Sequence, residues 1–177
     1  MKFIKSKKKI KGLYLIEHFP FEDKRGGLKR LFCKNNLENI NLYFGINQIN
    51  LSENKKKHTL RGFHYYKKPY EEEKILSCIK GRIYNVVLDP RKKSPTYGSW
   101  QFFILDEKDN LSLYIPKGCA NGYLTLKNDT SILYFHSKKY DKKFDCGINY
   151  NDPFFSVKWP NKPKVISKKD LNNPNFV

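Results

Sequence analysis

What most constrains the fold of this chain is a succession of short apolar and aromatic runs, each cut off by a turn signal, with no stretch repeating at helical period. Runs rich in β-branched and aromatic residues and bounded by Gly, Pro, Asn or Asp read as strands. Ile10 to Ile16 is the first, and Lys29 to Cys33 follows the turn Asp23-Lys24-Arg25-Gly26-Gly27. Leu42 to Asn50, Ile75 to Ile79, Arg82 to Asp89, Trp100 to Leu105, Leu111 to Ile115, Gly122 to Leu126 and Ser131 to Ser137 continue the series. Lys80-Gly81, Asp106 to Asn110 and Lys127 to Thr130 read as three hairpin turns, and Pro116-Lys117-Gly118 as a corner. Strands at this spacing predict an all-β sandwich or barrel. No amphipathic helix separates them, which excludes a doubly wound α/β sheet. The tail beyond Pro160 has few strand signals and a short helix is predicted around Lys169 to Asn172.

Composition narrows the class further. An aromatic content of 15%, with 13 Phe and 12 Tyr, excludes a disordered chain. The 177 residues fit one domain, 1–177, with a core over about 10–160 and a tail over 161–177. No apolar run approaches the ~20 residues that cross a bilayer. Met1-Lys2-Phe3-Ile4-Lys5 is too charged in its continuation for a secretory signal, so a cytoplasmic protein with no membrane partner is expected. Cys33, Cys78, Cys119 and Cys146 stand far apart and read as reduced thiols. The net charge of +18 raises nucleic-acid binding. Its lysines, however, are dispersed in short clusters, Lys7 to Lys9, Lys55 to Lys57, Lys92-Lys93, Lys138-Lys139 and Lys168-Lys169, mostly at expected turns. With no nucleic-acid motif present, they read as solvated loops whose field also suits a diphosphate ligand.

Only four histidines are present, His18, His58, His64 and His136, and no HxH pair followed by a carboxylate and a further His occurs. Metal catalysis is therefore not expected. His64 lies in Leu60-Arg61-Gly62-Phe63-His64-Tyr65-Tyr66; as a strand this would turn Arg61 and Phe63 one way and Gly62, His64 and Tyr66 the other. Taken singly, each chemical candidate has a plain structural reading. His64 is an imidazole among aromatics, and Lys74, after Glu71-Glu72-Glu73, is a surface cation. Tyr134 is a core phenol, and Asp170, in Ser167-Lys168-Lys169-Asp170, is a helix cap.

Their order along the chain changes the weighing. Leu60 to Tyr66, then Lys74, then Asp89-Pro90-Arg91-Lys92-Lys93-Ser94-Pro95-Thr96-Tyr97-Gly98-Ser99-Trp100 resembles the dTDP-4-dehydrorhamnose 3,5-epimerase family, whose pattern is RGLHYQ, a lysine some way on, and D-x-R-x-x-S-P-T-F-G-x-W. Ile115-Pro116-Lys117-Gly118-Cys119-Ala120-Asn121-Gly122-Tyr123 resembles IPPGFAHGF. The likeness continues through Leu133-Tyr134, Gly147 to Pro153, Trp159-Pro160 and Ser167 to Asp170. Earlier, Phe21 to Gly26 is similar to F-x-D-x-RG, and Gln48 and Asn50 fall at Q-x-N.

The resemblance implies a double-stranded β-helix, a cupin-like jelly roll, whose C-terminal tail closes the site, and a homodimer that exchanges strands. It implies a cofactor-independent isomerase acting on a nucleotide diphosphate sugar in surface polysaccharide (capsule or lipopolysaccharide) formation, with inversion at carbon 3, carbon 5 or both of a 4-keto-6-deoxy sugar. By position His64 matches the base, Asp170 its dyad partner, Lys74 the enolate stabiliser and Tyr134 the acid. Arg61 matches a diphosphate contact and Gln48 and Asn50 contacts to nucleotide and sugar; Arg25, Arg30, Asn121 and Tyr140 complete the expected substrate-binding set. Three positions depart from the pattern. Asn121 stands where the family has histidine, Arg30 where it has an acidic residue, and Tyr66 where it has glutamine. The first two would suit a GDP-linked 4-keto heptose as well as a dTDP-linked hexose. Two other readings remain open: a 3,4-ketoisomerase, which predicts an HxH-like pair of pocket histidines that this sequence lacks, and a non-catalytic sugar-nucleotide or nucleic-acid binding module, whose signature would be loss of the base or acid.

Overall fold

The computed structural model describes residues 1–5 and 10–177, so the cluster Lys7 to Lys9 lies outside the described residues. Four short strands come first: β1 (Lys2–Lys5), β2 (Tyr14–Glu17), β3 (Phe21–Asp23) and β4 (Gly26–Leu28). Helix α1 (Lys34–Glu38) leads to β5 (Gln48–Asn54), β6 (Thr59–Tyr66), β7 (Lys74–Lys80), β8 (Arg82–Leu88) and β9 (Trp100–Asp106). Then follow β10 (Leu111–Ile115), β11 (Ala120–Thr125), β12 (Thr130–His136), β13 (Asp145–Gly147), β14 (Val165–Ile166) and helix α2 (Lys168–Leu171). One sheet runs β1-β2-β10-β7-β12-β5; the other runs β13-β6-β11-β8-β9, with β14 parallel on β6. The result is the expected all-β jelly roll with a short C-terminal helix, its two sheets facing each other and open at their edges.

Three apolar layers hold it together. Between the sheets pack Leu76, Cys78, Ile83, Val87, Leu105, Leu113, Ile115, Tyr123 and Ile132. On the outside of the second sheet, Leu60, Phe63, Tyr84 and Val86 meet Ile148, Phe155 and Val157 from the C-terminal segment, with Phe63 stacked on Trp159. On the outside of the first sheet, Tyr14, Ile75, Tyr114 and Phe135 meet Leu37 and Phe44. Strands buried on both faces read as apolar runs instead of alternating ones, which is why β7 and β8 stand out in the sequence.

Several expected elements differ. The three turns read as hairpins are corners: β7 and β8, β9 and β10, and β11 and β12 each lie in different sheets. Local turn chemistry marks where a strand ends, not which sheet the next one joins. Ile10 to Ile16 contracts to β2, and the Leu42 to Asn50 run shifts to β5. Lys29 to Cys33 finds no ladder partner; the β3–β4 hairpin brackets the preceding turn, and His18 Nδ1 bonds the Arg30 carbonyl at 2.8 Å. All four cysteines are unpaired. Among the described residues no helix is long and apolar enough to cross a membrane.

Candidate active site

The centre of the site is set by an irregularity in β6. Asn121 of β11 faces His64, yet two residues on Tyr123 faces Arg61, three residues back. The extra residue in β6 is a bulge, and it cancels the alternation expected from the sequence. Arg61 and His64 therefore turn to the same side, into a cavity, while Phe63 packs into the outer apolar layer. Gly62 makes the bulge possible. Its φ is +124, and a Cβ there would stand 2.5 Å from Gly122 Cα and 2.9 Å from the Asn121 carbonyl.

The cavity has a volume of about 550 Å³ and lies between the sheets, with β6 and β11 on one wall and β5, β7 and β12 on the other. His64, Arg61 and Asn121 line the first wall; Lys74, Tyr134, Asn50 and His136 line the second. His64 is fixed from behind. The Ser167 hydroxyl caps α2 by accepting from the Asp170 amide at 3.0 Å, which aims the Asp170 carboxylate at β6. Its Oδ1 accepts from His64 Nε2 at 2.8 Å and its Oδ2 from the Gly62 amide at 3.3 Å. Burial pushes the Asp170 carboxyl up, but the His64 hydrogen bond and charge, with Gly62 and Ser167, outweigh it and hold it below the ordinary range. The ionised carboxylate thus accepts a hydrogen bond from Nε2–H, which leaves Nδ1 of His64 to act on the substrate.

Across the cavity, burial holds the Tyr134 phenol protonated, well above its ordinary range. Lys74 is 7% exposed and its Nζ lies 2.9 Å from Glu72 Oε1. Asn121 is oriented by two bonds from Nδ2, to Asn85 Oδ1 at 2.9 Å and the Val86 carbonyl at 3.0 Å, so it offers the cavity only its oxygen. Arg61 Nε donates to Asn54 Oδ1 at 2.8 Å.

The other expected binding residues sit elsewhere. Gln48 bonds Asn50 Oδ1 at 3.0 Å and the Tyr140 amide at 2.8 Å; neither Gln48 nor Tyr140 lines the cavity, so the two stand behind Asn50, which does. Arg25 pairs with Asp23 on the exposed β3–β4 hairpin, and Arg30 is exposed beyond it; neither lines the cavity. Two groups escaped the sequence reading. Glu72 and His136 are joined at 3.0 Å, and His136 stacks on Tyr134 with ring centroids 5.6 Å apart. Part of the signal was present, since Tyr134 and His136 are two apart on β12 and share a face, whereas Glu72 precedes β7 and follows no strand alternation. Among the described residues no cluster of three His, Cys, Asp or Glu side chains is arranged to hold a metal ion.

A sequence-family profile described as dTDP-4-dehydrorhamnose 3,5-epimerase matches residues 7–177. A dTDP-4-dehydrorhamnose 3,5-epimerase of Sinorhizobium fredii is 33% identical, covering 92% of this chain and 84% of the relative. The solved dTDP-4-dehydrorhamnose 3,5-epimerase of Bacillus anthracis, with TDP and PPi bound, superposes with a TM-score of 0.90 at 32% identity, covering 93% of this chain and 94% of that one. A dTDP-6-deoxy-D-glucose-3,5-epimerase of Legionella pneumophila, in complex with dTDP-4-keto-L-rhamnose, gives 0.92 at 29% identity, covering 99% and 92%.

Proposed function

Since the chain belongs to the dTDP-4-dehydrorhamnose 3,5-epimerase family and is an isomerase, we propose that its cavity inverts carbon 3, carbon 5 or both of a nucleotide-linked 4-keto sugar by proton transfer. The observation that carries this is an imidazole and a protonated phenol on facing walls of one cavity, with a buried ammonium beside them. A ketone acidifies the C–H bonds on its two neighbouring carbons. His64 Nδ1 takes one such proton, and the electron pair left on carbon delocalises onto the ketone oxygen as an enolate. Asp170 stabilises the imidazolium that forms, and Lys74 stabilises the enolate oxygen; one donor of that kind is typically worth ~3 kcal/mol. The Tyr134 hydroxyl then delivers its proton to the opposite face of the same carbon, which inverts it. Solvent removes the proton from His64 and restores the one on Tyr134, so the cycle balances with no redox step and no cofactor. Arg61 takes the diphosphate, and Asn50 and Asn121 take sugar hydroxyls.

The proposal extends to GDP-linked 4-keto heptoses of surface polysaccharide formation as well as dTDP-linked 6-deoxyhexoses. Its support is Asn121, a smaller, non-titrating group at the sugar end, and Arg30, a cation in place of an acid. A homodimer is part of the proposal. Phe21 and Leu28 on the β3–β4 hairpin and Ile49 and Leu51 on the edge strand β5 expose 65, 76, 55 and 55% of their surface, and a partner's hairpin is what would carry Arg25 and Arg30 to a cavity. Incubating a panel of 4-keto sugar nucleotides in deuterated water tests the chemistry. Deuterium at carbon 3 or 5 of any of them is expected; none anywhere refutes it. A 3-keto product would instead identify a ketoisomerase, which the second imidazole, His136, favours.

A further inference from the structure

Glu72 and His136 take no part in that proton transfer, yet His136 lines the cavity and Glu72 is bonded to it and to Lys74. Glu72 commits both carboxylate oxygens: Oε1 receives Lys74 Nζ at 2.9 Å, and Oε2 receives the Nδ1–H of His136 at 3.0 Å. The three side chains are 4, 9 and 15% exposed. Burial pushes the Glu72 carboxyl up, but Lys74 and His136 outweigh it and hold it below its ordinary range. Apolar side chains of similar volume often serve stability as well as a buried ion pair does. The trio is better explained by the cavity that Lys74 and His136 line. With Nδ1 committed to Glu72, His136 has only Nε2 left to offer the cavity, and no hydrogen bond occupies that nitrogen among the described residues.

The strand register says what that nitrogen meets. Along the second wall, Ser52 pairs with Ile132, Asn50 with Tyr134, and Gln48 with His136. Arg61 is tied to Asn54 and the Glu53 carbonyl, at the opposite end of β5. His136 therefore lies two residues, about 7 Å, beyond Tyr134 on the side away from Arg61. It also pairs with Lys74 across β7 and β12. For a sugar whose diphosphate, at carbon 1, is held by Arg61, whose ketone, at carbon 4, faces Lys74 and whose ring-oxygen side is turned toward His136, the group that meets the imidazole is the substituent on carbon 5. A methyl there leaves the imidazole nitrogen unpaired, whereas a hydroxyl satisfies it.

We propose that His136, oriented by Glu72, is a specificity-determining residue that hydrogen-bonds a hydroxyl on the exocyclic chain at carbon 5. The preferred substrate is then a nucleotide-linked 4-keto sugar with a hydroxylated tail, not one ending in a methyl. This rests on the epimerase function proposed above. Its test is steady-state kinetics on two 4-keto sugars carrying the same nucleotide and differing only in that substituent. Wild type is expected to favour the hydroxylated sugar by about 10-fold or more in kcat/KM. His136→Phe should abolish that preference, with kcat/KM for the hydroxylated sugar falling about 10-fold or more further than kcat/KM for the methyl sugar. His136→Gln keeps a donor for Glu72 and an acceptor for the hydroxyl, and should retain part of the preference. A wild type that prefers the methyl sugar, or neither, overturns the inference without recourse to any variant. So does His136→Phe lowering kcat/KM for both sugars alike. Wild-type turnover of neither sugar overturns the epimerase function itself, and the inference with it.

Discussion

Replacing Gly62 by alanine puts the bulge that aims Arg61 and His64 under direct strain. At φ +124 an L-residue sits in a region that costs about 1–3 kcal/mol. Its Cβ also meets only backbone, the Gly122 Cα at 2.5 Å and the Asn121 carbonyl at 2.9 Å, so no side chain can swing aside. Relief requires β6 and β11 to part by some tenths of an ångström or more, an overpacking cost of about 1–3 kcal/mol. Together these put the loss near ~3 kcal/mol. The parting also moves His64 relative to Tyr134, and a misplacement near ~1 Å is enough for a roughly 100-fold fall in rate. Urea unfolding gives the first quantity, and turnover measured where the variant is still folded gives the second. Gly27→Ala is the control, because a Cβ there meets nothing closer than Glu22 Cγ at 3.6 Å and its φ is ordinary; a change within about 0.5 kcal/mol is expected. Gly62→Ala with stability within about 1 kcal/mol of wild type and undiminished turnover would refute the link between bulge and site.

Two further outcomes follow from groups held at unusual protonation. Asp170→Asn keeps the shape but removes the charge that fixes the His64 tautomer, so turnover should fall about 100-fold or more with the fold retained; near-normal turnover would deny Asp170 its role. His18 is buried neutral. Desolvation, aided by the charge of Lys29, lowers its pKa against the opposing pull of the Arg30 carbonyl. A depressed folded pKa means that stability is fully present above the unfolded value of about 6.5 and is lost as pH falls through the folded one. Unfolding free energy should therefore decline below about pH 6.5. His18→Gln, which can still bond the Arg30 carbonyl and Ser112, should flatten that decline, and an unchanged slope would assign it to other groups.

The parts of this molecule that were legible in the sequence are those decided locally. β7, β8, β9 and β10 fall within a residue of their expected bounds, because each is an uninterrupted apolar or aromatic run between turn signals. The partners of those strands were not legible. Lys80-Gly81 looks the same whether the chain doubles back into its own sheet or crosses to the facing one, and only the shared core chooses. Resemblance named His64, Lys74, Tyr134, Arg61, Asn50 and Asn121 together, and all six line the cavity, with Asp170 bonded behind His64. Simple alternation set Arg61 and His64 on opposite faces, and it failed because a bulge depends on the neighbouring strand. Glu72 vanished into a run of three glutamates, and His136 into a strand already explained by its core residues. The i, i+2 spacing that pairs His136 with Tyr134 becomes informative only when β7 and β12 are known to be neighbours.

The most direct measurement follows hydrogen at the carbons flanking the ketone, by NMR in deuterated water, for wild type, His64→Asn and Tyr134→Phe. Wild type should take up label and release the inverted sugar. His64→Asn should do neither, and Tyr134→Phe should take up label while the sugar keeps its starting configuration. Label entering at the normal rate without the imidazole, or full inversion without the phenol, would contradict the division of labour between the two walls.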